Sequence, residues 1–406
     1  MAANQLPNRC RLLISNLSLR YTSECCSPIR ISKFTCCLWK RSLHVNRANC
    51  SSVKGPLLQC IRRHSIKDSR YFCTSSSPSR QESSNPEKLT ETELSHLCDD
   101  IKKELNSSKS NLGEISHYLF DGKGKAFRPM TVLLTAKACN YHCGRGSEVL
   151  SPQYRIAMIS EMLHTASLIH DDVIDAADTR RGKPSVNNIW GQTKSIFAGD
   201  YVISTASMML AKLGNEDVVI LLSQVIDDLV RGEFMQLGSK EDENERFAHY
   251  LEKTYKKTAS LLANSCKAVA LLGDCGPSVT ERAFQYGRNV GIAFQLIDDM
   301  LDYISSDKLM GKPTSTDLKL GLATAPVLFA CHTYPELNSL IMRRFSEPGD
   351  VEKARQLVAK TDGIEQTKYL AQQYCQEAIR QINGLEESPA RNALVTLTHK
   401  VLNRLK

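Results

Sequence analysis

The sequence predicts an all-α fold, a large single-domain helical bundle that encloses a central substrate cavity. From residue 88 onward, nearly every segment carries apolar residues three to five positions apart, the spacing of a helix buried on one face. No alternating strand pattern persists along the chain, and no strand–helix–strand order appears. Several predicted helices exceed the ~11 or 12 residues that are usual in globular proteins. In such bundles, ligands bind between facing helices.

Turn signals separate the predicted helices. The first helix begins near Leu89, where Thr90 supplies a capping side chain and Glu91 an acidic first turn. Gly, Pro, Asn and Ser punctuate the later segments, as in RRGKPSVN, GDCGPS and MGKPTST. The predicted helices are about 89–105, 126–140, 152–177, 193–213, 216–238, 244–273, 277–305, 318–333, 350–361, 363–383 and 388–404.

The first 80 residues differ in charge from the rest of the chain. They hold 14 Lys and Arg residues and only two acidic residues, Glu24 and Asp68, which gives this segment a net charge of +12. Because the whole chain carries +8, the remaining residues carry −4. A mildly acidic body does not favour nucleic acid as a partner. A start that is rich in Arg and Ser and poor in acids is typical of a mitochondrial transit peptide.

We therefore predict a transit peptide over 1–73, a Ser/Pro-rich linker over 74–87 and one all-helical domain over 88–406. A disordered basic tail is the alternative for the first segment. The transit peptide predicts a location in the mitochondrial matrix. Because no apolar run approaches the roughly 18 residues of a membrane span, any membrane contact, for example at the inner membrane, is expected to be peripheral.

Cysteine usage fits a reducing compartment. Eight of the fifteen cysteines lie in the leader, and the seven in the body are scattered and odd in number, which predicts reduced thiols. Cys139 and Cys143 flank His142, but no second ligand pair follows at zinc-finger spacing. The sequence therefore does not favour zinc there.

Two acidic clusters interrupt apolar helical segments, in LIHDDVIDAADTRRGKPSVNN and in FQLIDDMLDY. Their carboxylates are Asp171, Asp172, Asp175, Asp298, Asp299 and Asp302. Carboxylates three or four positions apart share a helix face and repel each other. Buried charges must be paired or bind a metal. A solvated face would explain one such cluster alone, but two in apolar helices indicate a metal site.

All-oxygen ligands favour Mg²⁺, which is usually held by one or two carboxylates together with waters and phosphates. The sequence thus predicts a diphosphate held between the clusters through magnesium ions. The predicted metal ligands are Asp171, Asp175, Asp298, Asp299 and Asp302. The side chain of Asp172 is expected to point away from the direction shared by Asp171 and Asp175 on their helix. A calcium loop is excluded because DDVIDAADTRRG lacks the central Gly and terminal Glu of an EF-hand.

A diphosphate also needs cationic partners. Arg180 and Arg181 directly follow the first cluster, and Lys125 and Arg128 stand in GKGKAFRP, at the predicted start of a helix. Arginine binds two phosphate oxygens at once, and helix N-termini favour anions. His164 lies two helical turns before Asp171 on the same face; alone it would more often be a core histidine.

Other polar residues in apolar segments fit the same cavity. They are Lys257 and Thr258 in KKTASLL, Gln295 one turn before Asp299, and Lys312 in MGKPTSTDLKLG. The pair Lys256 and Lys257 would usually lie on a solvated face, and only one of the two can point inward.

The stretches GKAFRP, EMLHTASLIHDDVIDAADTRRGKPS, GIAFQLIDDMLDY and GKPTSTDLKLGLATAP together resemble the trans-isoprenyl diphosphate synthases. The resemblance extends over about residues 90–406 and is greatest with the long-chain branch, which makes the ubiquinone side chain. It implies the isoprenoid synthase fold. It also implies a prenyltransferase that adds isopentenyl diphosphate units successively to farnesyl or geranylgeranyl diphosphate, giving nona- or decaprenyl diphosphate.

The resemblance implies a role for each candidate residue. Magnesium at Asp171, Asp175 and Asp298 binds the allylic diphosphate and stabilises its departure as pyrophosphate. Arg180 holds that diphosphate, and Lys312 meets the pyrophosphate. Isopentenyl diphosphate is held by Lys125, Arg128, His164 and Arg181. The carbocation or its leaving group is flanked by Lys257, Thr258 and Gln295. No protein nucleophile is required, because the double bond of isopentenyl diphosphate attacks the allylic cation.

The helix that carries the first cluster is also expected to set product length. The growing apolar tail would run past Ala166 and Ser167, small residues where short-chain members of the family carry bulky aromatic side chains. An open tunnel is therefore expected. Close helix packing is the alternative explanation for these small residues.

The resemblance further implies a hetero-oligomer with a divergent second synthase subunit. Two other functions remain open at this stage. A terpene cyclase or head-to-head coupling enzyme also uses Asp-rich helices and magnesium, although cyclases have no isopentenyl diphosphate to bind. A non-catalytic regulatory subunit usually has eroded aspartates, whereas both clusters are whole here.

Overall fold

The computed structural model describes residues 84–105, 111–122, 124, 126–237, 243–308 and 315–405. The predicted leader and most of the predicted linker lie outside these residues, as do Lys125 and Lys312. In the described part, the first helix begins at Pro86 with Asn85 as its N-cap.

The prediction of an all-α fold is confirmed. The helices are α1 Pro86–Leu89, α2 Glu91–Glu104, α3 Asn111–Leu119, α4 Phe127–His142, α5 Ser151–Ile174, α6 Val186–Trp190, α7 Gln192–Ala211, α8 Glu216–Leu237, α9 Glu243–Thr254, α10 Ser260–Leu272, α11 Pro277–Lys308, α12 Thr316–Lys319, α13 Ala325–Ala330, α14 Leu337–Met342, α15 Asp350–Ala359, α16 Gly363–Ile382 and α17 Pro389–Leu402. A π-helix, Tyr255–Ala259, joins α9 to α10, and a 3₁₀ turn, Asn403–Leu405, follows α17.

Most predicted helix boundaries agree with the structure to within three residues, but two predicted helices are divided. The segment predicted as 244–273 contains the π-helix. The segment predicted as 318–333 is broken because Gly321 adopts a left-handed φ of 76° after α12, and a new helix begins only at Ala325. Among the described residues, four short helices, α1, α3, α6 and α14, were not predicted, because fewer than three turns give little periodicity.

A small antiparallel hairpin was also not predicted. Its strands are β1 Thr179–Arg180 and β2 Lys183–Pro184. The two turn residues, Arg181 and Gly182, have φ values of 53° and 76°, as a type I′ turn requires. The glycine allows this turn, so the chain reverses directly after the first aspartate cluster.

The core lies between long helices that pack side by side. α5 packs against α7, α4 and α10, while α11 packs against α10 and α16. The buried face of α5 repeats at helical spacing, as Ile156, Ile159, Met162, Leu163 and Ala166 all belong to the main apolar cluster. Burial of each large side chain of this kind contributes about 1.5–3 kcal/mol.

Two glycines let α11 approach the π-helix and α10 closely. A Cβ at Gly291 would lie 2.6 Å from the Cα of Ala259, and a Cβ at Gly287 would lie 2.7 Å from the carbonyl oxygen of Leu262. No larger side chain fits at these contacts without movement of backbone. The close approach brings Gln295, one turn after Gly291, next to the π-helix.

None of the helices in the described ranges combines the length and the apolar character needed to cross a membrane.

Candidate functional site

Three predicted diphosphate ligands meet at the start of α4. Nη1 of Arg128 is 2.9 Å from Nε2 of His164, and Nη2 of Arg181 is 3.5 Å from the same nitrogen. Because a guanidinium only donates, Nε2 accepts and the imidazole is neutral. Burial and then the charges of Arg128 and Arg181 lower the pKa of His164 well below its usual value. These side chains present two cations and one neutral ring.

Glu161, which was not predicted, lies one turn before His164 on α5. Burial raises the pKa of its carboxyl, and the charges of Arg128 and Arg181 oppose that shift. The residue stands in the stretch EMLHTAS, but a single Glu in an apolar helix gives no pattern that would identify it. It supplies a counter-charge behind the arginines.

The hairpin turn aims Arg181 toward the loop before α4. A Cβ at Gly124 would lie 3.0 Å from Nη1 of Arg181, so a side chain at this position would crowd the guanidinium. Lys125, the fourth predicted ligand of isopentenyl diphosphate, lies outside the described residues.

The three carboxylates of the first cluster have different surroundings. Asp171 is partly buried, and burial raises its pKa to about 6, opposed by the charge of Lys257. Asp175 caps the C-terminus of α5 and is exposed, yet desolvation still raises its pKa. Asp172 is only 3% exposed and accepts hydrogen bonds on Oδ1 from Nη2 and, at 2.8 Å, from Nε of Arg180.

In this structure, the guanidinium of Arg180 is paired with the buried carboxylate of Asp172. The hairpin that follows α5 brings it back over Asp172, eight residues earlier. Asp171 and Asp175 are left as the carboxylates that face Lys257.

The π-helix carries the next two predicted residues. Nζ of Lys257 lies 2.5 Å from Oε1 of Glu233 and 3.1 Å from Oε1 of Gln236, both on α8. Nζ of Lys256 lies 3.0 Å from Oδ1 of Asp228. Neither lysine lies on a solvated face, since their side chains are 17% and 20% exposed. A π-helix adds one residue to a turn, and such segments often occur at functional sites.

A chain of hydrogen bonds joins the π-helix to the second cluster. Oγ1 of Thr258 donates to Oε1 of Gln295 at 2.8 Å, and Nε2 of Gln295 donates to Oδ1 of Asp299 at 2.8 Å. The hydroxyl of Tyr250 donates to the other oxygen of Asp299. Asp299 is 3% exposed, and its pKa is raised by burial although both donors oppose that shift.

Asp298, one position earlier, faces the C-terminal turn. Nη1 of Arg404 lies 2.7 Å from Oδ1 of Asp298, and the guanidinium of Arg404 stacks 4.2 Å from the ring centroid of Phe294. Burial nevertheless raises the pKa of Asp298 to about 6. Contacts between residues so far apart in the chain leave no local signal in the sequence.

Asp302 accepts hydrogen bonds from the backbone N–H groups of Thr316, at 3.0 Å, and Asp317, at 3.2 Å. Asp317, a second unpredicted residue, joins the cluster through this contact. Burial and then the charges of Asp299 and Asp302 raise its pKa to about 7, opposed by Lys253. The residue stands in the stretch TSTDLKLG but outside the DDxxD spacing, so the spacing alone could not identify it.

A small cavity lies between Arg128 and Thr258, the first residue of the hydrogen-bonded chain. It is lined by Phe127, Arg128, Thr258, Leu262, Gly291 and Phe294. It lies between α4, the π-helix, α10 and α11.

The carboxylates fit a hard cation that also binds substrate. In the described ranges, no three His, Cys, Asp or Glu side chains are gathered closely enough to hold a metal ion by themselves. The desolvated carboxylates Asp171, Asp175 and Asp298 nevertheless offer only oxygen donors. Mg²⁺ accepts such a set when phosphate oxygens and waters complete its shell.

Ala166 lies on the face of α5 toward the interior, and Ser167, beside it, is partly exposed. Ala166 is fully buried in the main apolar cluster, and the hydroxyl of Ser167 donates to the carbonyl oxygen of His164 at 2.9 Å. Their place is compatible both with an apolar tunnel wall and with close packing, and the role in product length stays a prediction.

A family model described as polyprenyl synthetase matches residues 109–358 of this chain. All trans-polyprenyl-diphosphate synthase PDSS1 from Homo sapiens is 63% identical over 322 residues, which cover 79% of this chain and 78% of the human protein. Decaprenyl-diphosphate synthase subunit 1 from Schizosaccharomyces pombe is 45% identical over 347 residues, covering 79% of this chain and 92% of that protein. A probable hexaprenyl pyrophosphate synthase, mitochondrial, from Neurospora crassa is 40% identical over 369 residues, covering 79% and 82%.

The fold also resembles a solved structure. The crystal structure of polyprenyl synthase from Caulobacter crescentus CB15, complexed with calcium and isoprenyl diphosphate, superposes with a TM-score of 0.70 at 28% sequence identity. The match covers 82% of this chain and 99% of that chain. The similarity therefore extends over nearly the whole described part.

Proposed function

This chain belongs to the polyprenyl synthetase family, and from that premise we propose that it is a prenyltransferase that adds isopentenyl diphosphate units successively to an allylic diphosphate. The product is a long all-trans polyprenyl diphosphate of nine or ten units, the side chain of ubiquinone. The 63% identity to a polyprenyl-diphosphate synthase over most of both chains is the observation that carries this function.

Isopentenyl diphosphate is held by Arg128, His164 and Arg181, together with Lys125. The observed approach of both arginines to one neutral imidazole supports this assignment. The arginines supply the charge, while the ring orients Arg128 and can donate only through Nδ1. Substrate phosphate would draw the arginines away from Glu161, whose raised pKa marks a poorly solvated counter-charge.

The allylic diphosphate is held on the opposite side, by the aspartate clusters. Asp171, Asp175 and Asp298 would hold Mg²⁺, with Asp299 and Asp302 behind them, and the bound ion would supply Lewis-acid stabilisation of the departing pyrophosphate. Calcium in the related Caulobacter structure supports dependence on a divalent cation. Arg180 and Lys312 add positive charge. Arg180 also pairs with the buried carboxylate of Asp172.

The allylic cation is flanked by Lys257, Thr258 and Gln295. The hydrogen bond from Thr258 to Gln295 and the bond from Gln295 to Asp299 fix the orientation of the Thr258 hydroxyl and the Gln295 amide, and so the direction of their oxygen lone pairs. Oriented oxygen dipoles of this kind stabilise developing positive charge without forming a bond. Lys257, held by Glu233, stands where the leaving pyrophosphate would gain a cation. The proton lost from the isopentenyl unit passes to the departing pyrophosphate.

A hetero-oligomer with a divergent second subunit is the assembly we propose. Large apolar side chains are exposed on α7 and α8, including Phe197 at 62%, Met208 at 55%, Ile220 at 59% and Phe234 at 71%. Exposed apolar side chains on two neighbouring helices are candidates for a protein interface. The name of the Schizosaccharomyces pombe relative, subunit 1, supports an assembly of unlike subunits. The name of the Neurospora crassa relative supports a mitochondrial location. Within the mitochondrion, the location we propose is the matrix, in peripheral contact with the inner membrane.

One experiment tests the function and the assembly together. The purified chain, alone and with the candidate second subunit, is incubated with labelled isopentenyl diphosphate, farnesyl diphosphate and Mg²⁺, and the products are separated by chromatography. We expect long-chain product when both subunits are present. Absence of product in both samples would refute the function. A cyclised product made from the allylic substrate alone would identify a terpene cyclase, and product made equally well without the partner would refute the need for a hetero-oligomer.

A further inference from the structure

Three cysteines meet at the end of the bundle away from the diphosphate site. Cys139 lies in the last turn of α4, Cys143 caps that helix, and Cys275 lies in the turn between α10 and α11. Sγ of Cys143 is 3.1 Å from Sγ of Cys275, although 132 positions separate them in the chain. Because α4 rises about 1.5 Å per residue, Cys143 is roughly 20 Å from Arg128. The cluster is therefore separate from the catalytic cavity.

The three thiols differ in their access to solvent. Cys143 is partly exposed, Cys275 is 8% exposed directly behind it, and Cys139 is fully buried. The sulfur of Cys275 also lies 3.8 Å from the carbonyl oxygen of Cys139 and 3.7 Å from that of Gly273. A small solute can thus reach the pair formed by Cys143 and Cys275.

The surroundings favour a thiolate at Cys275. Hydrogen bonding from the Cys139 thiol, then from Cys143, together with the charge of Arg145, lowers the pKa of Cys275 to about 6 despite burial. Burial raises the pKa of Cys143 to about 11. Arg145 is held over the turn by the carbonyl oxygen of Gly273 and, at 3.3 Å, by Asp274. A thiolate next to a thiol and an arginine is the arrangement that makes a cysteine reactive.

A metal site is a poorer explanation of the cluster. His142, the only histidine in the CNYHC stretch, uses its Nδ1 to accept a hydrogen bond from the backbone N–H of Glu386 at 3.0 Å. In the part of the chain that the structure describes, no group of three His, Cys, Asp or Glu side chains is suitable for a metal ion. Redox chemistry between two thiols needs no further ligand.

We propose that Cys143 and Cys275 form a reversible redox pair, a modification site at which a hydroperoxide converts two thiols into a disulfide between α4 and the α10–α11 turn. The thiolate of Cys275 attacks one peroxide oxygen, the O–O bond breaks, and with one proton a first water leaves, so Cys275 becomes a sulfenic acid. Sγ of Cys143 then attacks that sulfur, forms the S–S bond and releases the second water. Two thiols and one hydrogen peroxide give one disulfide and two waters.

The disulfide would require the sulfurs to move together by about 1 Å, since bonded sulfurs are ~2.05 Å apart. The bond would close a long loop that contains α5, α7, α8 and α10. Such a cross-link restricts the unfolded chain and stabilises the fold. A dithiol reductant reverses the reaction by exchange. The end of the bundle would therefore be more rigid under oxidising conditions than under reducing ones.

The test uses the full-length protein and hydrogen peroxide. After mild oxidation, remaining thiols are alkylated, and the tryptic peptides are identified by mass spectrometry. We expect ACNYHCGR, residues 138–145, linked to AVALLGDCGPSVTER, residues 268–282, with two hydrogens lost and with fragment ions that place the bond on Cys143. Dithiothreitol should release both peptides. The melting temperature should rise on oxidation and fall again on reduction.

Variants separate this pair from other cysteines. Cys143→Ser and Cys275→Ser should abolish the linkage and the change in melting temperature, while Cys139→Ser should retain both. Cys98→Ser is the matched control, because Cys98 is also partly exposed but has no cysteine partner among the described contacts. Circular dichroism verifies folding, and the partly exposed Cys143→Ser remains informative where Cys275→Ser does not fold. Full alkylation of both thiols after peroxide, a bond between Cys139 and Cys275, or irreversible sulfinic acid would each overturn the proposal.

Discussion

The two aspartate clusters share one sequence pattern but are supported in different ways. In each, the second aspartate is 3% exposed and held by protein groups, while its neighbour one position earlier is only partly buried. Asp172 is neutralised by a cation, Arg180, whereas Asp299 accepts hydrogen bonds from two uncharged donors, Tyr250 and Gln295. The first cluster ends its helix and the second lies inside one.

This difference shows how a helix terminus changes what a carboxylate can contact. After α5 the chain is free to turn back, so the hairpin can bring an arginine onto Asp172. α11 continues past Asp299, so partners must come from α9 and from one turn earlier on α11 itself. The outer carboxylates Asp171 and Asp298 have the same raised pKa of about 6 despite these different supports.

The largest expected effect tests whether Asp171 and Asp298 contribute equally to catalysis as metal ligands. Asp171→Asn and Asp298→Asn should each lower kcat/KM by roughly 10³-fold, since a lost metal ligand removes about 4 kcal/mol of transition-state stabilisation. Radiolabelled product formation at saturating Mg²⁺ measures this. Asp178→Asn, an exposed aspartate three residues beyond Asp175, is the control and should retain activity. A tenfold or smaller loss in either cluster variant would contradict the shared metal role.

The supports of the inner carboxylates should differ in strength. Arg180→Gln leaves Asp172 buried and unpaired, which should lower the free energy of unfolding by about 3 kcal/mol. Tyr250→Phe removes one neutral donor from Asp299 and should cost about 1.5 kcal/mol. Urea denaturation monitored by circular dichroism gives both values. Equal losses would mean that the cationic support has no advantage over the neutral one.

Ala166→Phe examines the helix behind the first cluster. If a tunnel passes Ala166, the phenylalanine should shorten the polyprenyl product, as chromatography of the dephosphorylated chains would show, while the protein remains folded. Close packing alone predicts a loss of about 1–3 kcal/mol in stability with unchanged chain length. Normal product length in a stable variant would reject the chain-length role.

The smallest effect concerns Asp317, a carboxyl next to the second cluster that has no counterpart in the first. The pKa of Asp317 is raised to about 7 in the folded protein, so ionisation above that pH destabilises the fold, whereas the unfolded chain ionises near its ordinary value. The stability lost through this group therefore grows as pH rises through this interval. Asp317→Asn should raise the melting temperature by a few degrees at pH 8 without added Mg²⁺, and the gain should disappear toward pH 4. A gain independent of pH would contradict this origin.

The sequence predicted the helices and the acidic clusters, because both depend on the spacing of residues that are close together in the chain. The helical runs follow from periodicity, and the second DDxxD cluster lies within α11 as predicted, while the first ends α5 with Asp175 as the C-cap. The partners of these residues depend on how distant segments meet. Arg404 reaches Asp298 over 106 positions, and Glu233 reaches Lys257 only because α8 packs against the π-helix. A single acidic residue in an amphipathic helix has the same sequence signature whether or not it faces a cavity.

The π-helix at Tyr255–Ala259 has a consequence for how this segment can change length. It adds one residue relative to a regular helix, so α9 and α10 are out of phase by about 100°. Deleting one residue there would give an unbroken α-helix, with every local preference satisfied. The deletion would nonetheless rotate α10 and its neighbours against α11, and the closely packed contacts of Gly287 and Gly291 would be lost. We expect this segment to tolerate substitutions far better than insertions or deletions of a single residue.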